Sequence, residues 1–263
     1  MTKVSDADLN KAAEMIRNAH ESGTPCAPLH DFIDANDLAA GYAIQDINTE
    51  HWLKQGRRLV GRKTGLTAKS VQAQLGVGQP DFGMLYADMA YADGQDIPLD
   101  RLIQPKIEGE ISFVLKEDLD QEQMTITDVM RAIDYTVAAI EIVGSRIADW
   151  NIKIMDTIAD NASSGLYVLG TEPRQLSELD LHLCGMVIEH QGEPVSTGAG
   201  AACLGNPLNA TLWLAKTMVE VGRPLKAGDT VLSGALGPMV PVTGPGVYEL
   251  RISGLGSVRA SFV

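Results

Sequence analysis

The stretch from Pro105 to Leu115 most restricts how this chain can fold, because apolar residues recur there at every second position. This alternation predicts a β-strand with one buried face. The residues of that face are Ile107, Gly109, Ile111, Phe113 and Leu115. Glu108 and Glu110 lie on the other face, and side chains two residues apart on a strand point the same way, roughly 7 Å apart. Two carboxylates therefore project side by side from a rigid element, and a divalent cation between them would remove their mutual repulsion.

A third acid interrupts an apolar run further along the chain. Glu141 lies inside the β-branched stretch from Thr136 to Gly144, which contains no Lys or Arg. A buried Glu needs a partner, and three carboxylates make an all-oxygen site that suits Mg²⁺ or Mn²⁺ rather than zinc. The sequence therefore predicts a metal site at Glu108, Glu110 and Glu141. Two strands with a solvated acidic face would show a similar pattern, and this alternative stays open at this point.

The composition is typical of an ordinary soluble globular protein. The chain has 263 residues, of which 45% are hydrophobic and 21% charged, and its length allows one large domain or two small ones. The net charge of −13 argues against nucleic acid and against an anionic membrane surface as partners. Without an internal repeat or a convincing linker, we interpret residues 1–263 as one α+β domain. Residues 1–60 form its N-terminal helical part, and residues 61–263 form a mixed, mainly β catalytic core.

Cysteine usage and hydropathy indicate a cytoplasmic protein. Cys26, Cys184 and Cys203 follow no metal-binding spacing and are odd in number, so reduced thiols explain them most simply. The N-terminus has no apolar stretch after a basic one, and no run approaches about 20 apolar residues. We therefore expect neither a signal peptide nor a membrane span.

Periodicity and capping residues predict four helices and a strand-rich second half. The predicted helices cover about residues 6–21, 36–55, 127–132 and 208–221. The later predicted strands cover about residues 166–169, 179–189, 230–235, 247–252 and 257–263, with a hairpin turn at Gln191 and Gly192.

The segment from Arg57 to Thr67 is the densest basic cluster in this acidic chain, and it reads as a strand that enters a glycine turn. Exposed basic residues also protect strand edges. Alternatively, Lys63 serves an anionic substrate, with its pKa lowered beside a metal so that it exchanges protons near neutral pH. Asp81, in a predicted loop from Gly76 to Gly83, is either a turn residue or an acid of the site.

Two later segments are rich in groups that can bind a small polar molecule. Asp156 and Asp160 are four residues apart, so a helix would place them on one face, either as helix-end capping groups or as a polar wall around a substrate. The strand from Thr230 enters a glycine loop that ends at Pro238, and backbone N–H groups in such a loop can hold a carboxylate.

Several motifs, weak alone but specific in their joint order, resemble those of the 2-oxopent-4-enoate (2-hydroxypenta-2,4-dienoate) hydratases within the fumarylacetoacetate hydrolase superfamily. The motifs are Gly61–Thr67, Gln79–Gly83, Pro105–Glu110, Glu141–Arg146, Asp160–Ser164, Gly205–Asn209 and Gly254–Val258. The resemblance covers nearly the whole chain. It implies a mixed β-roll core of the fumarylacetoacetate hydrolase type, an Mg²⁺ or Mn²⁺ site, and a role in the meta-cleavage degradation of aromatic compounds.

The resemblance also assigns residues to roles. The family's metal ligands correspond to Glu108, Glu110 and Glu141, its active-site lysine to Lys63 and its loop acid to Asp81. Ser163 and Ser233 fall on stretches that line the family's pocket and are the candidate substrate-binding residues. The family's members are homo-oligomers, and some associate with a decarboxylase or aldolase of the same pathway.

The implied reaction is hydration of a small 2-oxo or 2-hydroxy dienoate to 4-hydroxy-2-oxopentanoate by a hydro-lyase. In our hypothesis the cation acts as a Lewis acid and template, a proton reaches the terminal carbon, and water adds at C4. Lys63 and Asp81 are the candidates for proton transfer and water positioning, with their acid and base roles left open.

Three alternatives to this function stay open. The first is decarboxylation of 4-oxalocrotonate, which needs the same motifs. The second is C–C hydrolysis of an acylpyruvate, which often uses a His–Glu pair to activate water; His30 is the candidate histidine, but the sequence shows no Glu to pair with it. The third is a non-catalytic subunit that holds a partner enzyme and needs no metal.

Overall fold

The computed structural model describes residues 4–69, 72–73 and 77–263, so Gly76 of the predicted loop lies outside the described residues. Five α-helices lie in these ranges: α1 Asp6–Ser22, α2 Leu38–Lys54, α3 Ile126–Ala132, α4 Ile154–Ala159 and α5 Pro207–Glu220. Ser5 caps α1 by accepting the Asp8 N–H, and Asn206 caps α5 by accepting the Leu208 N–H. The four predicted helices are confirmed within two residues of their ends. None of the described helices combines the length and apolarity needed to cross a membrane.

The described strands form two sheets. The strands are β1 Leu59–Gly65, β2 Asp81–Tyr86, β3 Ala90–Ala92, β4 Asp96–Ile97, β5 Lys106–Leu115, β6 Ile133–Val143, β7 Ser164–Leu169, β8 Gly185–His190, β9 Glu193–Ala199, β10 Thr230–Ala235, β11 Val240–Pro241, β12 Gly246–Ile252 and β13 Gly256–Phe262. The larger sheet has the order β2-β1-β10-β5-β6-β7-β3, with β11 also paired to β5. The smaller sheet has the order β4-β13-β12-β8-β9. This combination of mixed sheets and helices confirms the predicted α+β class.

The central strand β5 is buried on both faces rather than one. Ile107, Ile111 and Phe113 are fully buried on its apolar face, as the alternation predicted. On that same face a Cβ at Gly109 would lie 2.7 Å from Leu250 Cδ1 of β12, so the smaller sheet packs directly here. Glu110 on the opposite face is also fully buried. Glu108 on the same face is partly exposed, so the acidic face of this strand is shielded from solvent at Glu110 and only in part at Glu108.

The N-terminal helices form a second apolar core beside the sheets, with Ala12, Ile16 and Ile44 among its buried residues. A buried carboxylate connects this part to the rest of the chain. Asp156 of α4 accepts the backbone N–H groups of Leu29 and His30 at 2.9 and 3.1 Å. The helical part is thus anchored by directional hydrogen bonds as well as by apolar packing.

Two expectations from the sequence are wrong in detail. Asp81 does not lie in a loop but is the first residue of β2. The strand predicted from residue 179 begins only at Gly185, because the Asp180 carboxylate accepts the N–H groups of His182 and Leu183 and closes a turn. The apolar alternation there is misleading, since Leu183 is 70% exposed. The hairpin at Gln191 and Gly192 is confirmed between β8 and β9, with both residues at positive φ.

We expect Gly61→Ala to destabilise the sheet that carries Lys63. A Cβ at this position would lie 1.9 Å from the Thr230 backbone oxygen, so β1 and β10 would have to separate. The expected loss is about 2 kcal/mol, or roughly 4–8 °C in the midpoint of thermal unfolding measured by calorimetry. Gly244→Ala is the matched control, because a Cβ there meets nothing within 4 Å. Equal midpoints for the two variants would contradict this account of the strand contact.

Candidate active site

The three predicted metal ligands come together through the pairing of β5 with β6. Glu108 lies directly opposite Glu141 in the antiparallel register, and Glu110 follows two residues along β5 on the same face. One carboxylate oxygen from each residue lies within 4.8 Å of the others. Sequence spacing predicted the closeness of Glu108 and Glu110, and the strand register adds the third acid.

The cluster contains carboxylate oxygens that lack hydrogen-bond donors. Glu110 Oε2 accepts the Gly234 N–H at 2.9 Å, but Glu110 Oε1 and both Glu141 oxygens have no hydrogen-bond partner among the described residues. Glu110 and Glu141 are at most 1% exposed. An unpaired buried oxygen costs roughly 1–3 kcal/mol, and more when it is charged. A hard divalent cation fits this set, because it binds oxygen ligands and neutralises their charge.

Burial and crowding together disfavour the charged forms of these acids. Burial, reinforced by the charge of Glu141, raises the pKa of Glu108 to about 7. Burial and the charges of Glu141 and Glu108 raise the pKa of Glu110 well above its ordinary value of 4.5. Lys63 acts in the opposite direction on both groups but does not cancel the effect. Glu108 and Glu110 therefore have a raised affinity for protons, with which a metal would compete.

Lys63 lies on the same sheet face as the acids. Strand register connects it to them, because Lys63 pairs with Leu232 of β10, and Leu232 pairs with Ser112 of β5. Its Nζ lies 3.3 Å from Glu141 Oε1, an ion-pair contact that lacks hydrogen-bond geometry. This amine is the partner that the Glu141 run lacked in the sequence.

The acids around Lys63 act against the lowered pKa that is expected for this amine beside a metal. Burial acts to lower the pKa of the amine, but the carboxylates of Glu141 and Asp81, followed by Glu108 and Glu110, outweigh it and raise the pKa. Lys63 is therefore an ammonium group whose charge is balanced by the acids around it.

The contact between Lys63 and Glu141 requires a strongly curved sheet. Three strand spacings separate β1 from β6 in the order β1-β10-β5-β6, which corresponds to about 14 Å in a flat sheet. Side chains that stand parallel on a flat sheet would not meet across this distance. The larger sheet therefore curls around the polar cluster, in agreement with the β-roll that the sequence resemblance implied.

Asp81 reaches the cluster over a glycine. It pairs with Gly65, two residues beyond Lys63 on β1, and therefore shares the face of Lys63. A Cβ at Gly65 would lie 2.2 Å from Asp81 Oδ1 and 3.3 Å from Lys63 Nζ, so only glycine leaves room for these groups to converge. Burial raises the pKa of Asp81 to about 6, against the lowering effect of Lys63. Neither carboxylate oxygen of Asp81 has a hydrogen-bond partner in the described part of the chain.

The two predicted substrate-binding serines are buried, and their hydroxyls are unpaired. Ser233 is fully buried and precedes Gly234, whose N–H holds Glu110. Ser163 is 4% exposed and lies in a turn just before β7. Within the described ranges neither Oγ has a hydrogen-bond partner. The N–H of Gly234, which lies within β10 rather than in the loop after it, thus binds a carboxylate of the chain itself.

The polar segment before β7 serves structural contacts rather than an open polar wall. Besides Leu29 and His30, Asp156 accepts the Lys153 N–H, and its Oδ2 lies 2.5 Å from His30 Nδ1. Asp160 forms a buried ion pair with Arg146. Both acids therefore hold chain segments together, as helix-end capping groups do.

Sequence reasoning missed several residues that lie in or around the turn from Asn161 to Ser163, just before β7. Arg146 and Asn161 lie in the motifs Glu141–Arg146 and Asp160–Ser164, to which the sequence assigns them no role, and Tyr42 lies in the predicted helix over residues 36–55. Tyr42 stacks on Phe82 of β2 with ring centroids 4.6 Å apart. The turn itself has positive φ at Asn161, Ala162 and Ser163. No local signal would have revealed it, because none of the three residues is glycine.

Comparison with known proteins finds close relatives over almost the whole chain, although no protein-family model matches it. The chain is 60% identical over 254 residues to the TodF product hydratase of Pseudomonas putida strain F1, covering 97% of this chain and 95% of that protein. It is 58% identical over 252 residues to the 2-keto-4-pentenoate hydratase of Paraburkholderia xenovorans strain LB400, covering 96% of this chain and 94% of that protein.

Solved structures share the fold. The 4-oxalocrotonate decarboxylase of Pseudomonas putida G7, complexed with magnesium and adipate, superposes with a TM-score of 0.94 at 34% identity, covering 99% of each chain. The fumarylpyruvate hydrolase of Pseudomonas aeruginosa, in complex with Mn²⁺ and pyruvate, superposes with a TM-score of 0.62 at 13% identity. That match covers 78% of this chain and 90% of the hydrolase, and it shows the fold alone.

We expect Glu110→Gln to stabilise the chelator-treated protein at pH 7.5 relative to wild type. Because the folded-state pKa of Glu110 lies above 4.5, wild type loses stability as the pH rises above about 4.5, whereas the amide does not titrate. The expected gain at pH 7.5 is roughly 3 °C in the unfolding midpoint, and it should shrink at pH 5. Glu193→Gln, at an exposed strand position, is the control. A gain that is larger at pH 5 would contradict the predicted sign.

Proposed function

Because this chain belongs to the 2-keto-4-pentenoate hydratase family, within the fumarylacetoacetate hydrolase superfamily, we propose that Glu108, Glu110 and Glu141 bind one divalent cation at its catalytic centre. The protein is a hydro-lyase that adds water to 2-hydroxypenta-2,4-dienoate to give 4-hydroxy-2-oxopentanoate in the meta-cleavage degradation of aromatic compounds. The observation that carries the metal proposal is the buried acid cluster with its unpaired oxygens.

The donor set suits Mg²⁺ or Mn²⁺. The three carboxylates would hold such a cation without filling its coordination, so that oxygens of the substrate and water could also bind it. The Gly234 N–H fixes one oxygen of Glu110, so its other oxygen is free to act as a ligand. When bound, such a cation supplies Lewis acidity and a template for a 2-oxo acid. The choice of Mn²⁺ in addition to Mg²⁺ rests on the same oxygen chemistry.

Asp81 and Lys63 carry the proton transfers in this proposal. Asp81, with a pKa of about 6, is matched to accept and return a proton near neutral pH. Lys63, held as an ammonium beside Glu141, offsets the negative charge of an acidic substrate. A bound cation that neutralised the acids would lower the pKa of Lys63 towards the range in which it donates a proton. The two groups converge above Gly65, so protonation of the terminal carbon and delivery of water at C4 are served from one side of the site.

Ser163 and Ser233 bind the polar oxygens of the substrate. Each hydroxyl is buried and lacks a hydrogen-bond partner among the described residues. A buried hydroxyl without a partner carries a desolvation cost, which a ligand oxygen would remove. This is the physical support for the substrate-binding role of the two residues.

A second candidate activity is decarboxylation of 4-oxalocrotonate. The observation that favours it is the close superposition with the decarboxylase over the whole chain. Both reactions start from a 2-oxo acid held in the same way, so the acid cluster serves either. The higher identity to the hydratases supports hydration as the main activity.

Several wider properties are part of the same proposal. The three free cysteines support a cytoplasmic location. The hydrogen bonds from Leu29 and His30 to Asp156 support one domain over residues 1–263. Assembly into a homo-oligomer, and association with a decarboxylase or aldolase of the pathway, rest on the family resemblance.

We expect Glu141→Gln to weaken Mn²⁺ binding by at least about 100-fold, more than the loss of a group that only supports a ligand. Binding is measured by electron paramagnetic resonance, and turnover is measured on 2-hydroxypenta-2,4-dienoate and on 4-oxalocrotonate. Wild type should favour the dienoate and lose activity with chelator. Glu189→Gln, at an acid that pairs with Arg251 on the smaller sheet, is the control. Normal binding and turnover in Glu141→Gln would remove the metal assignment, and faster turnover of 4-oxalocrotonate by wild type would favour the decarboxylase.

We expect Lys63→Ala to lower kcat by about 10²- to 10⁴-fold, the usual contribution of a proton-transferring group. Mn²⁺ binding should persist, because the acids remain and lose a competing cation. Rates come from the absorbance of the dienoate, and binding comes from titration with Mn²⁺. Full turnover in Lys63→Ala would exclude Lys63 from the scheme.

A further inference from the structure

The turn from Asn161 to Ser163 has an unusual backbone. Its three consecutive residues have φ values of 54°, 52° and 56°, and none of them is glycine. A left-handed conformation is unfavourable for a residue with a Cβ, although less so for Asn than for Ala or Ser. Such strain persists only where the surroundings enforce it, and it concentrates at functional sites. The surroundings of this turn therefore indicate what it is for.

Arg146 holds the turn at both ends. Its Nη2 donates to the Asp160 backbone oxygen at 2.7 Å, and its Nη1 donates to the Ser164 backbone oxygen at 2.9 Å. Its Nε donates to the Asp160 carboxylate, which also accepts the Arg146 backbone N–H at 3.0 Å. The side chains of Arg146 and Asp160 are at most 9% exposed. The planar guanidinium thus spans the residues that flank the left-handed turn.

Asn161 attaches the same turn to β2. Its Oδ1 accepts the Met84 N–H at 2.7 Å, and its Nδ2 donates to the Met84 backbone oxygen at 3.0 Å. These two bonds imitate one step of strand pairing. The turn therefore takes the place of a strand neighbour where the curled sheet brings β2 close to the start of β7.

The turn lies on the side of β2 that faces the acid cluster. Gly83 pairs with Lys63, so the two share a sheet face. A Cβ at Gly83 would lie 2.4 Å from the Asn161 backbone oxygen and 2.6 Å from Ser164 Oγ. The turn therefore packs against β2 at Gly83, the residue that pairs with Lys63 of β1. The hydroxyls of Ser163, in this turn, and of Ser164, the residue after it, are buried and have no hydrogen-bond partner among the described residues.

We propose that Arg146 and Asp160 are positioning residues, which hold the left-handed turn so that the Ser163 hydroxyl receives an oxygen of the bound 2-oxo acid. This inference rests on the proposed function, because it takes Ser163 as a substrate contact. It adds that the contact depends on an ion pair that need not touch the substrate. If the turn relaxed from its left-handed conformation, the Ser163 hydroxyl would move. Its contribution to binding the 2-oxo acid would then be lost.

The test is a double-mutant cycle between Arg146→Lys and Ser163→Ala. Lysine keeps the charge but offers one nitrogen, which cannot reach both backbone oxygens and the Asp160 carboxylate as the guanidinium does. The readouts are kcat and KM for the dienoate, and the dissociation constant of the unreactive 2-oxopentanoate in the presence of Mn²⁺, measured by calorimetry. Asp160→Asn provides a second route to the same loss if Arg146→Lys folds poorly.

We expect Ser163→Ala to weaken 2-oxopentanoate binding by about tenfold in the wild-type background, the effect of one lost hydrogen bond. In the Arg146→Lys background the same change should cost less than about twofold, because the hydroxyl is already displaced. Mn²⁺ affinity should stay at the wild-type value in all four proteins. This combination separates positioning of Ser163 from damage to the metal centre.

Asp156→Asn is the matched control for stability. Asp156 is also a fully buried carboxylate, but it holds Leu29, His30 and Lys153 rather than the turn. Its change should lower the unfolding temperature and leave the Ser163→Ala penalty near tenfold. Additive penalties in Arg146→Lys and Asp160→Asn, within an active series that binds Mn²⁺, would overturn only the positioning role. Wild-type protein that neither binds Mn²⁺ nor hydrates the dienoate would overturn the proposed function and this inference with it.

Discussion

The repulsion among three clustered carboxylates, of which Glu110 and Glu141 are buried and Glu108 is partly exposed, is the constraint on which the rest of this structure depends. Glu108 and Glu141 face each other across β5 and β6, and Glu110 lies on the same face. Three negative charges in a dry interior cannot coexist without compensation. The chain supplies part of that compensation through Lys63 and the Gly234 N–H. A divalent cation would bind the carboxylate oxygens of Glu110 and Glu141 that have no hydrogen-bond partner among the described residues.

The curvature of the larger sheet brings this compensation within reach. A flat sheet would leave Lys63 three strands away from Glu141, whereas the curled sheet brings its amine to 3.3 Å. The same curvature brings β2 towards the start of β7, where Asn161 joins them through Met84. The curvature of the larger sheet therefore accounts both for the contact between Lys63 and Glu141 and for the contact between the turn and β2. This explains how residues from distant parts of the chain act on one small volume.

Hydration and decarboxylation of related 2-oxo acids can share such a centre. Both reactions need the substrate to be gripped at its oxygens and its conjugated system to be polarised, and the acid cluster is suited to that task. The choice between them then falls to the groups that place a proton or a water along the tail. In our proposal these groups are Asp81, Lys63 and the hydroxyls of Ser163 and Ser233, which have no hydrogen-bond partner among the described residues. Selectivity between hydration and decarboxylation would accordingly depend more on these groups than on Glu108, Glu110 and Glu141.

The sequence by itself determined the central strand, the carboxylates of Glu108 and Glu110, and most helices, because alternation and capping are local properties that neighbouring residues decide. The apolar run around Glu141 made this acid a third candidate ligand, and the resemblance in ordered motifs supported Glu141, Lys63 and Asp81 as members of one site. Only the tertiary structure decided that β5 is buried on both faces, that Asp81 begins a strand, and that neighbouring carboxylates raise the pKa of Lys63 against the lowering effect of burial. The roles of Arg146 and Asn161 also required it. Burial, ion pairing and backbone strain depend on contacts between segments far apart in the chain, and no local pattern encodes those contacts.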